Sequence, residues 1–232
     1  MSIDYTHCLR RRFTENILTH LLNGTSVNVV VPQIAEEADR LVADIQRCDL
    51  PDTRVLAVNM RFCRGSYQQF LLDLWQQSHQ QPAQDCPDLF KILSELEQAA
   101  QQFIIILNRL DAMAETEVDA QFNQGFYERL NSFKNYRNVA LLVVTHERYD
   151  EILFNIESEF KTSKLDIQEV EDLPDLTRDE ARYELTQRLP ELSTVHISHL
   201  MLQVRQGSGY NYATLDYLSR QLKNSLQSWA DM

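Results

Sequence analysis

The sequence predicts an α/β domain built on a parallel sheet, with a small all-helical segment after it, and three observations carry that prediction. The runs Val27–Val31 (VNVVV), Phe103–Leu107 (FIIIL) and Val139–Thr145 (VALLVVT) are continuously apolar, with almost no polar alternation. Short runs rich in Val and Ile suit strands covered on both faces. Helical patterns separate them, and strand alternating with helix makes a parallel sheet with right-handed crossovers. From about Thr177 onward the pattern is helical, with no strand interposed.

Taken in order, Arg54–Met60 (RVLAVNM) is a weaker strand, and Leu165–Val170 a short fifth. Glu36–Cys48 carries Ala38, Leu41, Val42 and Ile45 at helical spacing, and Tyr67–Gln77 carries Phe70, Leu71, Leu74 and Trp75. Leu89–Ala100 and Phe122–Phe133 repeat the pattern, so each of these helices has one apolar face. The glutamine-rich patch Gln76–Gln84, with Pro82, reads as an exposed loop. Pro174, inside EDLPDL, marks a boundary between a domain over 1–173 and a subdomain over 174–232. The subdomain opens with Thr177 and Glu180 at capping-box spacing. Two helices, Val195–Gln206 and Tyr212–Leu226, follow around a Gly207-Ser208-Gly209 break.

The chain has 232 residues, 44% hydrophobic and 24% charged, enough for a sizeable core. Its formal net charge of −12 repels phosphate backbones at long range, which argues against direct nucleic-acid binding. Arg10-Arg11-Arg12 is the local exception: a solvated helix end, or else a contact for an acidic partner or a short nucleic-acid segment. No apolar run approaches the roughly 18 residues of a membrane span, and no signal-peptide pattern is present. The cysteines, Cys8, Cys48, Cys63 and Cys86, are scattered without a C-x-x-C pair. They read as reduced, buried thiols of a cytoplasmic protein, with neither a disulfide framework nor a zinc site.

This order of elements resembles the P-loop ATPases of the AAA+ and STAND groups. The resemblance is carried by ILTHLLNGTS before the first strand, by the junction VNVVVPQIAEEAD, and by the strand endings FIIILNR and VALLVVT. It continues through LPDLTRDEA and QGSGYNYATLDYL in the helical part. It implies a P-loop NTPase-like domain with a helical lid.

The chemistry of that family is then checked by position. A phosphate loop, G-x-x-x-x-G-K-[ST], wraps phosphates with backbone N–H groups, with a lysine for charge and a hydroxyl for magnesium. Laid on Val31–Ala38, it puts Val31 and Glu36 at the glycines, Glu37 at the lysine and Ala38 at the hydroxyl. All four positions fail. The strand that should end in Asp-Glu ends in Asn108 and Arg109, which keeps the shape but removes and then reverses the charge. Thr145 stands at the polar sensor position, with a strand-end threonine satisfying a backbone group as the plainer reading. Glu36 and Glu37 open a helix, where each carboxylate stabilises the positive end of the dipole by about 0.3–1 kcal/mol if exposed. Arg109 is expected to pair with one of them across the vacant site, and Asp111, two residues beyond the strand end, to point elsewhere.

The expected function is therefore a pseudo-ATPase with no catalytic residues and no nucleotide, magnesium or other cofactor. It would act as a protein-interaction or regulatory subunit, of an active ATPase or a nucleic-acid-processing assembly. Tyr210, Tyr212, Tyr217 and Trp229 are the aromatic contact candidates, with lid packing as the alternative for each, Tyr217 above all. Two rivals stand beside this reading. One is a divergent ATPase with a non-standard phosphate loop; the other is an enzyme using His146 with Asp150 or Glu151. His196 and His199 share a helix face but lack a third metal ligand, and Arg220 lies near the position of the family's sensor arginine.

Overall fold

The computed structural model describes residues 3–32, 35–79, 88–136, 138–156, 159–162 and 165–230, without the side chains of Ala35, Lys134, Ile156 and 226–230. Contacts divide the chain into two units, residues 1–8 with 12–173 and residues 9–11 with 174–232.

In the first unit the apolar runs become β1 (Val27–Val30), β2 (Thr53–Asn59), β3 (Gln102–Asn108) and β4 (Val139–Thr145). An antiparallel hairpin, β5 (Leu153–Ile156) with β6 (Glu159–Thr162), comes next in the chain, followed by β7 (Glu169–Asp172). The main sheet has the order β2-β3-β4-β1-β7, every pair parallel. Its helices are α1 (Arg11–Leu22), α2 (Ala35–Gln46), the single turn α3 (Met60–Cys63), α4 (Tyr67–His79), α5 (Leu89–Gln98) and α6 (Gln124–Asn131).

The two-sided burial explains why the strands show no polar alternation. Phe103, Ile105 and Leu107 join Val139, Leu141 and Val143 in one core with α4, α5 and α6. The intervening Ile104, Ile106, Ala140, Leu142 and Val144 join Val27 and Val29 in a second core under α1 and α2. Successive side chains of a strand face opposite ways, so both sets must be apolar.

The fifth strand begins four residues later than expected and ends two residues later. Leu165 is buried in the first core instead, and its neighbour Ile167 packs there too. The strand itself, Glu169–Asp172, is mostly acidic and sits at the sheet edge beside β1, where charge blunts unwanted pairing. The glutamine-rich stretch also departs from expectation, since α4 continues through it to His79; residues 80–84 lie outside the described ones. Gln77 serves the other edge strand: its side chain donates to Ala57 O (2.9 Å) and accepts from Ala57 N (2.8 Å).

The second unit contains α7 (Arg178–Arg188), α8 (Thr194–Val204) and α9 (Tyr212–Ala230). It is not all-helical. A two-residue ribbon, β8 (Arg205–Gln206) with β9 (Gly209–Tyr210), turns through Gly207 at φ 57°. Leu176 bridges to Tyr210 by reciprocal N–H···O bonds of 3.0 Å. A Cβ at Gly209 would collide with the Asp175 side chain, so this approach needs glycine. The Thr177–Glu180 capping box starts α7. At its other end Arg188 donates to Glu184 Oε1 (2.7 Å), Tyr212 OH (2.7 Å), Ser219 Oγ (3.1 Å) and the Asp216 carboxylate.

Candidate functional site

In a sheet of this order, the strand order switches at β1: β2, β3 and β4 lie to one side and β7 to the other. Ligands of open α/β sheets bind outside the carboxyl ends of the strands at such a switch. The residues at those ends are the ones the phosphate-loop comparison singled out.

β1 passes into α2 through residues 31–34, of which 33 and 34 lie outside the described residues. Val31 is buried and its N–H donates to Thr145 O at 2.8 Å, so it extends the sheet by one rung instead of opening a loop. Ala38 is fully buried in the core with Val29 and Leu41. Glu36 is exposed and Glu37 is buried at 3% exposure.

Asn108 and Arg109, at the end of β3, meet α2 at Asp39. The Asn108 amide donates to Asp39 Oδ1 at 2.9 Å, and Arg109 Nη2 lies 3.3 Å from Asp39 Oδ2. A carboxylate set against Arg109 is thus Asp39, which the sequence had not singled out. Asp39 sits three residues beyond Glu36, which returns it to the same helix face one turn on. Arg109 adopts the left-handed conformation (φ 60°, ψ 50°) and caps the short 3₁₀ helix Leu110–Ala114. That reversal carries Asp111 back toward the sheet end, contrary to expectation. Its Oδ2 lies 3.9 Å from His146 Nε2, while its Oδ1 is buried without a hydrogen-bond partner. Burial pushes the Asp111 carboxyl above its usual range, and the His146 ring opposes this.

Thr145 has a structural role at the sheet centre. Its hydroxyl donates to Glu147 O and accepts from Asn28 Nδ2 at 2.9 Å. Asn28, fully buried in β1, also donates to Val143 O (3.2 Å) and accepts from Tyr149 N (3.1 Å). His146 does not meet Asp150 or Glu151, which are exposed turn residues; the carboxylate beside it is Asp111. Beside Asp39 a cavity of about 240 Å³ opens between α2 and the ends of β2 and β3, with Asn59, Val42 and Asn108 in its wall.

In the second unit the candidates separate by burial. Tyr212 is 4% exposed and forms core, so it presents no contact surface. Arg10 is likewise internal: its Nε donates to Pro174 O at 2.7 Å and its guanidinium lies 5.9 Å from the Tyr212 ring centre. It is therefore neither a solvated helix end nor a surface contact, whereas Arg11 and Arg12 are exposed. Tyr210 is half-buried in β9, and Tyr217 is 62% exposed. The Trp229 side chain lies outside the described ones. Arg220 pairs with Asp216 at 2.8 Å within α9, and His196 and His199 are exposed on α8.

These features define a class: a five-stranded parallel α/β domain of the P-loop NTPase kind, followed by a mainly helical unit. No known protein family matches the sequence as a family, and no curated protein matches it as a sequence. Solved structures do match. The Walker-type ATPase of Pyrococcus abyssi superposes with a TM-score of 0.60 at 11% identity, covering 94% of this chain and 68% of that one. The Aeropyrum pernix ORC2 protein, in ADPNP–ADP complexes, gives 0.60 at 16% identity over 94% of this chain and 64% of that one. Drosophila ORC bound to DNA gives 0.53 at 14% identity, with 98% and 58% covered. The fold is that of the AAA+ ATPases, and this chain spans 58–68% of the length of these structures. No described helix is long and apolar enough to cross a membrane.

Proposed function

We propose that this chain is a non-catalytic AAA+-type pseudo-ATPase that works as a protein-interaction or regulatory subunit. The observation that carries this reading is the tie of Asn108 and Arg109 to Asp39 across the end of the sheet. In the family this space lies between a lysine-bearing helix and an acidic strand end, and holds magnesium and phosphate. Here the charges are exchanged: the acid is on the helix and the cation is on the strand. A triphosphate brought to the start of α2 would meet the exposed carboxylates of Glu36 and Asp39 in place of a lysine, and like charges at short range repel. The core position of Ala38 supports the same reading, since that site offers no oxygen to a metal.

A protein partner is supported by the large apolar side chains left exposed in the second unit, Val195, Leu202 and Tyr217. The acidic balance of the chain favours a partner other than nucleic acid.

Titration with a fluorescent ATP analogue in the presence of magnesium tests the proposal. The expected result is no saturable signal up to millimolar nucleotide. Micromolar, magnesium-dependent binding would overturn it and establish a divergent ATPase.

A further inference from the structure

The cysteines that look scattered in the sequence are not scattered in the fold. Cys8, just before α1, and Cys48, just after α2, are both buried, and their sulfur atoms lie 3.8 Å apart. His7 completes a triangle, its Nε2 lying 3.5 Å from Cys8 Sγ and 3.8 Å from Cys48 Sγ. The carbonyl oxygen of Asp44, in the last turn of α2, caps the triangle. It lies 3.0 Å from His7 Nε2, 3.4 Å from Cys48 Sγ and 3.9 Å from Cys8 Sγ. Among the described residues this is the one group of His, Cys and carboxylate side chains gathered closely enough to share a metal ion.

The spacing discriminates between chemistries. A tetrahedral zinc with Zn–S of about 2.3 Å and Zn–N of about 2.05 Å has S···S edges of about 3.8 Å and S···N edges of about 3.6 Å. The observed edges are 3.8, 3.5 and 3.8 Å. A disulfide would need the two sulfurs at about 2.05 Å, which the third member of the cluster does nothing to favour. From this geometry we infer that His7, Cys8 and Cys48 form a soft-metal site for zinc, with the Asp44 carbonyl or a water in the fourth position. Loading replaces the protons of two thiols and leaves Nε2 as the donor of His7, so both sulfurs bind as thiolates.

The surroundings fit a cation. Both sulfurs are buried, and the negative charge of the Asp44 side chain acts on both of them, so a cation there would be attracted. A site at this position also has a mechanical consequence. It fastens the segment before α1 to the C-terminal end of α2, the helix whose first turns carry Glu36, Glu37 and Asp39. Zinc would thereby hold the helix that closes the vacant nucleotide position, independently of whether nucleotide binds.

The test uses the full chain, reduced and stripped of metal under anaerobic conditions, titrated with cobalt(II) and then zinc. The expected result is thiolate-to-cobalt charge transfer with intense tetrahedral d–d bands, saturating at one equivalent and displaced by zinc. A variant with Cys63→Ser and Cys86→Ser retains these bands. Cys8→Ser and Cys48→Ser each lose the charge-transfer intensity of one thiolate and weaken zinc binding at least about 100-fold, and His7→Asn at least about tenfold. Absence of the bands in the reduced wild-type chain overturns the inference, as does their loss in the Cys63/Cys86 variant. Oxidation of Cys8 and Cys48 to a disulfide in protein that takes up no cobalt also overturns it, in favour of a redox pair. Since the wild-type spectrum alone decides the first outcome, misfolding of a variant does not rescue the inference.

Discussion

The Asp39 contact is the most exacting place to test this account, because two substitutions at one position separate charge from hydrogen bonding. Asp39 accepts from the Asn108 amide at 2.9 Å and faces Arg109 Nη2 at 3.3 Å. Its side chain is 54% exposed while that of Arg109 is 9% exposed, so water screens one end of the pair. The charge interaction is then worth about 0.5–1 kcal/mol, the range of partly solvated ion pairs. Asp39→Asn removes the charge but leaves an oxygen for Asn108, and should cost about that amount. Asp39→Ala also removes the acceptor from Asn108, a residue 4% exposed, adding about 1 kcal/mol for an amide left unsatisfied. Equilibrium urea unfolding measures both. In 1 M salt, where the screening length is about 3 Å, the Asn effect should shrink while the further Ala increment persists. A double-mutant cycle with Arg109→Ala should give a coupling of about 0.5–1 kcal/mol for Asp39, against under about 0.3 for Glu36→Gln. No coupling at Asp39, or a larger one at Glu36, would refute the charge-exchanged closure of the site.

Three further outcomes are expected. The raised carboxyl of Asp111 means that the folded chain holds that proton more tightly than the unfolded one. Its contribution therefore favours folding below the unfolded value near pH 4, and turns against folding as pH rises through the folded one. Asp111→Asn should accordingly raise the urea midpoint at about pH 7, with the gain fading toward about pH 3. Arg188→Met removes the shared partner of Glu184, Asp216 and Tyr212, and should destabilise the second unit by about 3 kcal/mol in thermal unfolding; Arg188→Lys, a single point charge, should recover less than half. Thr177→Ala opens the capping box of α7 and should cost about 1 kcal/mol by the same measurement.

The sequence by itself determined the strands of the sheet interior, because residues buried on both faces leave an uninterrupted apolar record. FIIIL and VALLVVT could be placed within a residue or two for that reason, and the capping box was legible from local chemistry. Leu165 and Ile167 misled, since an apolar side chain records burial and not the backbone pairing that makes a strand. The residue types at Val31, Glu36, Glu37, Ala38, Asn108 and Arg109 were also readable against the spacing of a phosphate loop and a strand end. Which groups then meet was not. The choice of Asp39 over Glu36 depends on the rotation of α2 against the end of β3, and the return of Asp111 to His146 depends on a left-handed Arg109. Only the tertiary structure decided that Arg10 and Tyr212 are interior, and that Cys8 and Cys48, forty residues apart, touch. Periodicity along a chain reports which side chains leave water, whereas contact between distant side chains is fixed by how the buried faces are stacked.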